Sequence, residues 1–144
     1  VLESILTYII GLIGGIGVGI QTPLGGVMSG RVGPAASSLI VHLSGAVLSL
    51  ALLVARRGEN ISDWRALPPY MFLLGLFGVL IMVTVSHTLP RVGAGVAVTL
   101  IILGQLIAGM IIDHFGFFSA ARPIDLTRVI AAVLLVIGGY LMVK

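Results

Sequence analysis

Long apolar runs, interrupted only by short polar stretches, constrain this chain more than any other feature. A helix that crosses a bilayer needs about 20 apolar residues, since ~30 Å must be spanned at ~1.5 Å per residue. The 144 residues are 58% hydrophobic and only 9% charged, whereas soluble domains carry about 25% charged residues. That balance excludes a soluble globular domain, a disordered tail and a coiled coil. Barrel strands alternate apolar and polar residues over about ten positions, and the runs here do not alternate. The expected fold is all-α: a polytopic membrane protein forming one transmembrane domain over residues 1–144, a five-helix bundle.

The five helices are expected over residues 4–28, 34–54, 69–87, 94–112 and 128–143. Pro23, behind Gln21 and Thr22, is expected to kink or end the first, because proline removes a backbone donor. Ser29 to Gly33 and Leu89 to Gly93 read as turns. Pro34 suits a first helical position, where its missing N–H costs nothing. Ala55 to Leu67 is the longest polar segment and reads as a solvated loop, with Trp64 and Tyr70 beside it as interfacial anchors. The first segment lacks a basic n-region, and its apolar run is too long for a cleavable signal peptide.

The net charge of +3 comes from basic residues near helix ends or in loops, so it reads as topology and headgroup anchoring rather than nucleic-acid binding. With five spans, Arg56, Arg57, Arg65, Arg122 and Arg128 share the N-terminal face, and Arg31, Arg91 and Lys144 share the other. The excess is small. It favours a cytoplasmic N-terminus and is compatible with insertion in both orientations.

Arg31-Val32-Gly33 recurs as Arg91-Val92-Gly93, and the same 60-residue offset pairs Gly15 with Gly75. Helices one and two therefore resemble helices three and four as a parallel repeat. Many transporters use an inverted repeat to alternate access. An inverted copy here would have to come from a second chain.

Gly11, Gly15 and Gly19 recur every four residues and form a helix-packing face. Ser38, His42, Gly45, Ala46 and Ser49 make a small, polar stripe on helix two. An ionisable residue at mid-span, as His42 is, should face protein or water. Gln105, Gly109 and Asp113 lie along one side of helix four, and Gln21 is a further intramembrane amide. Gln21, Ser38, His42 and Gln105 are the candidate substrate-binding residues, and Asp113 is a candidate for coupling or for an ion pair with an Arg of the adjoining loop. His87 is expected at the interface.

Catalytic constellations are missing from the sequence. It contains no GxxxxGK[ST] and no HExxH. Ser38 and His42 stand one turn apart without a nucleophile elbow. Cysteine is absent, which excludes disulfides and Cys-ligated metals. No enzyme activity, metal or cofactor is expected.

Gly104-Gln105 followed by Asp113-His114-Phe115-Gly116 resembles the fourth-helix signature of the YdcZ-type family in the drug/metabolite transporter superfamily. Ile20-Gln21, Pro34 through Gly45, Pro90 with Gly93, and Arg128 with Gly138 also fit. The resemblance covers nearly the whole chain. One departure stands out. An Asn follows Ile-Gln in the family pattern, whereas this chain reads Thr22-Pro23-Leu24-Gly25, so no role for that Asn carries over. The resemblance implies a five-helix bundle in the bacterial inner membrane, paired in inverted fashion with itself or with a paralogous chain. The chain also lacks the mid-helix glutamate of four-helix multidrug transporters; its first-helix acid is Glu3, at the very start.

The expected function is secondary transport of small polar or zwitterionic metabolites or drug-like solutes by an antiparallel dimer. The expected partners are the lipid bilayer, a second chain and a small-molecule substrate, with no nucleic acid. The alternative is a non-transporting subunit whose polar residues only join helices. A passive channel would want a charge ring or carbonyl filter, and neither is present in the sequence.

Overall fold

The computed structural model describes residues 2–118 and 120–143; Lys144, counted above among the basic residues, lies outside them. The elements are α1 (Leu2–Val32), α2 (Pro34–Ala55), two short 3-10 helices (Ile61–Ala66 and Pro69–Leu73), α3 (Leu74–Phe115) and α4 (Leu126–Val143). There is no strand among the described residues. Three stretches, Glu3–Val32, Pro34–Ala55 and Pro69–Phe115, are long and apolar enough to cross a membrane, and α4 supplies a shorter apolar helix. The chain divides into two compact units at Pro90/Arg91.

In the first unit, α1 continues through Pro23 to Val32 rather than ending near Met28. Proline leaves the carbonyl four residues back without its donor. The carbonyl freed is that of Gly19; one residue earlier, Thr22 Oγ1 donates to the Val18 carbonyl at 2.8 Å. The expected turn at residues 29–33 shrinks to one residue. Gly33 has φ 85° and ψ 157°, a region essentially reserved for glycine. A single such residue turns the chain, so Ser37 Oγ reaches back to donate to the Gly25 carbonyl at 3.2 Å.

The second expected turn, residues 89–93, is corrected in the same way. The backbone stays helical through Val92, and the break within α3 is Gly93, at φ 79° and ψ 167°. The two Arg-Val-Gly stretches thus share one backbone conformation. Four residues beyond each glycine, Ser37 and Ala97 are both fully buried.

The polar segment after α2 is more ordered than a solvated loop. Arg57, Gly58 and Glu59 all take positive φ, and the 3-10 helices follow, so α3 begins at Leu74 rather than residue 69. The edge-to-face pair Trp64–Phe72, at 6.3 Å, holds this segment together.

Burial is inverted relative to a soluble protein. Among the described residues the buried set is Thr22, Ser29, Ser37, Ser38 and Ala97 with Gly25, Gly26 and Gly139, beside only Met82 and Val85 of the larger side chains, while Leu, Ile and Phe side chains point outward in large numbers. Lipid tails are as apolar as leucine, so close packing of small residues, rather than hydrophobic expulsion, joins the helices. In the first unit Gly25 and Gly26 of α1 receive Met82, Val85 and Leu89 of α3. In the second, Gly139 of α4 receives Thr99 and Leu103 of α3, with a built Cβ falling 2.8 Å from Thr99 Cγ2.

Candidate functional site

Two polar constellations emerge, one in each unit. On α2, the stripe reaches its most buried point at Ser37 and Ser38. His42 Nδ1 lies 2.6 Å from the Ser38 carbonyl oxygen and 3.3 Å from Ser38 Oγ. A carbonyl has no proton to give, so Nδ1–H is the donor, and in a neutral ring Nε2 is left as an acceptor. That edge of the ring lies over Gly78 of α3, where any Cβ would collide with it. Glycine at 78 is therefore the seat of the imidazole. Ser37 is held differently, by the Gly25 carbonyl and by Met82, whose Sδ is 4.0 Å away.

The structure thus brings Ser38 and His42 together on one turn of α2. Gln21, in the same unit, makes no hydrogen bond to either and is exposed on α1. A Cβ on Gly11, Gly15 or Gly19 would meet nothing within 4 Å among the described residues, so this glycine face is open within its own unit.

In the second unit, Gln105, Gly109 and Asp113 line a groove of about 390 Å³ between α3 and α4. Its apolar walls include Leu106, Met110 and Leu135, and Arg128 of α4 closes the polar end. Arg128 NH1 stands 3.7 Å from Asp113 Oδ2, with the two side chains 30% and 42% exposed. The arginine facing Asp113 therefore comes from the first turn of α4 rather than from the adjoining loop. Gln105 has no hydrogen-bond partner among the described residues.

The motif Asp113-His114-Phe115-Gly116 shapes the end of this groove. The Asp113 carbonyl accepts from Arg122 N at 2.8 Å and from Gly116 N at 3.2 Å. His114 Nδ1 accepts from Ile124 N at 3.2 Å. Gly116 has φ +65°, and a built Cβ would sit 2.9 Å from Ala121 N, so both conformation and space demand glycine. Asp125 Oδ1 then caps α4 by accepting from Arg128 N at 2.8 Å. The motif folds the loop back onto α3 and delivers Arg128 to Asp113. Sequence reasoning missed Ser37, Gly78 and Arg128 as site residues. For Gly78 and Arg128 the signal is a long-range contact that no local pattern reveals.

A protein-family model described as "Putative inner membrane exporter, YdcZ" matches residues 6–141. No curated protein and no solved structure gives a significant match. With a match over almost its full length and helices long and apolar enough to span a bilayer, this chain belongs to the YdcZ family of inner-membrane proteins.

Proposed function

We propose that the chain is a secondary transporter that moves small polar or zwitterionic solutes as an antiparallel dimer, by alternating access. The observation that carries this reading is the free amide of Gln105, which lines an apolar groove without a partner of its own. An amide in hydrocarbon needs hydrogen bonds, and a polar solute supplies them. Gln21, Ser38 and His42 offer the same neutral chemistry in the other unit. Asp113, the acid of the groove, is the candidate for coupling. The family's exporter description agrees with this reading.

Five crossings per chain fit the dimensions. The 42 residues of α3 would extend ~63 Å if straight, about twice the hydrocarbon thickness, and Gly93 divides them. The open face of Gly11 and Gly15 suits close contact with a second chain. That face also favours the alternative, a structural subunit.

Two measurements separate the readings. Solute efflux from cells expressing Gln105→Ala or His42→Ala should fall several-fold while dimer cross-linking persists. Normal efflux would refute the proposed cavity, and weakened cross-linking without any efflux to lose would favour the structural subunit. Ser62→Cys places one thiol in the exposed polar segment of a chain without cysteine. Labelling of about half the molecules by an impermeant reagent on intact cells is the expected result for dual orientation. Labelling on one side alone would rule out the self-paired inverted dimer.

A further inference from the structure

The groove beside Gln105 has a neighbour between the same two helices. Thr99, Leu103, Leu134, Gly138 and Met142 line another volume of about 390 Å³ between the same two helices, and Leu135 belongs to both. From Thr99 to Asp113 the two grooves together accompany ~21 Å of helix at ~1.5 Å per residue, with Leu135 on the wall of each; taken end to end they make one furrow. Its chemistry is graded. One end carries an acid and a base, one amide follows about two turns deeper, and the rest is almost wholly apolar.

The charged end is unlike a closed salt bridge. At 3.7 Å the Asp113–Arg128 separation exceeds the ~2.7–2.9 Å of a charge-assisted hydrogen bond. Both side chains remain partly exposed. The guanidinium also donates to the Arg122 carbonyl at 3.2 Å, which fixes its position independently of the acid. A carboxylate and a guanidinium held side by side, each with bonding capacity to spare, match a ligand that carries both charges.

We propose that this furrow binds a single-chain amphiphile with a zwitterionic head. The cationic group of the head faces Asp113 and the anionic group faces Arg128. Gln105 donates to a polar linkage below the head, such as an ester carbonyl, and the alkyl chain lies along Leu103, Leu135 and Gly139 toward Met142. Calling this amphiphile a substrate rests on the transport reading above; the binding itself does not.

The test uses the purified full chain in uncharged maltoside micelles. Three photoreactive C16 probes are compared at equal concentration. One carries a glycerophosphocholine head, one a glycerophosphate head, and one a trimethylammonium head. Each charged contact is worth about a factor of ten or more in affinity. The zwitterionic probe should therefore label peptides from 99–113 and 126–142 about tenfold more than either probe whose head carries one sign of charge. Asp113→Asn should remove most of that advantage over the glycerophosphate probe. Gly109→Leu projects a side chain into the groove from a position with open space around it, and should abolish labelling by all three. Equal labelling by the three heads in the unsubstituted protein, which needs no variant to fold, would overturn the proposal. So would zwitterion labelling confined to other segments. A micelle has no two sides, so either result is independent of whether the chain transports.

Discussion

Gly33→Ala and Gly93→Ala should each destabilise the protein by about 1–3 kcal/mol, the usual cost of holding a residue with a Cβ in sparsely populated backbone space. Both glycines sit at φ near +80° with strongly extended ψ. Around each, a built Cβ meets nothing within 4 Å, so the cost comes from backbone conformation and not from collision. Neighbouring glycines provide the control. Gly30 and Gly95 are helical and equally uncrowded. Alanine there should be neutral or stabilising by about 0.5–1 kcal/mol, because it reduces the freedom of the unfolded chain and suits a helix. The contrast between turn and control is thus about 1–4 kcal/mol, a sizeable part of the ~5–15 kcal/mol stability of an ordinary domain. The assay is unfolding in mild detergent titrated with a denaturing one, reading the midpoint for all four variants. Two turn variants as stable as their controls would refute the claim that the backbone at Gly33 and Gly93 requires glycine.

Gly139→Val should loosen α4 from α3 by about 1–3 kcal/mol through overpacking, since even its Cβ falls 2.8 Å from Thr99 Cγ2; faster amide exchange confined to α4 would show it. Ser37→Ala loses the 3.2 Å bond to the Gly25 carbonyl and should cost only ~0.6 kcal/mol, up to about 1.7, as such bonds do between membrane helices; a larger shift in the unfolding midpoint would mean the contact is packing rather than hydrogen bonding. Gly78→Ala should displace His42 from its seat, visible as a change in the His42 imidazole NMR signals with the helical circular dichroism retained. Asp125→Ala should remove about 1 kcal/mol of capping, read as loss of exchange protection in the first turn of α4.

The class of fold was legible because hydrocarbon thickness writes itself into the sequence as run length. Helix ends were less so. Pro23, Pro90 and the two Arg-Val-Gly stretches carry the composition of loops, yet both prolines sit inside continuous helix and one glycine replaces a whole turn. The polar stripe of α2 was readable from spacing, and so was the line from Gln105 to Asp113, because both are helical periodicities. Gly78 under His42 was not, since the contact joins residues 36 positions apart on different helices. Gly25, Gly26 and Gly139 lacked a signal for the same reason. The glycines that did show a pattern, Gly11, Gly15 and Gly19, are the ones the chain leaves open. Spacing identifies a face that permits close approach, but only the partner helix shows which face is used.

In the transport reading, the repeat bears on why a second chain would be needed. Gly33 and Gly93 share their conformation, and Ser37 and Ala97 share complete burial, at one constant offset of 60 residues. With five spans, this offset relates segments that run in the same direction through the bilayer. A parallel duplication gives one chain no pair of equivalent openings on opposite sides, and alternating access of the rocking kind depends on such equivalence. The polar chemistry is also divided between the units. The His42 cluster is closed against Gly78, whereas Gln105 stands in an open groove. In the proposed dimer, a partner inserted the other way round would supply the missing inversion without any new sequence, and the slight excess of basic residues expected on one face is compatible with that insertion. In the transport reading, then, the weak charge bias, the parallel repeat and the open glycine face of α1 have one explanation: each chain is half of a symmetric device.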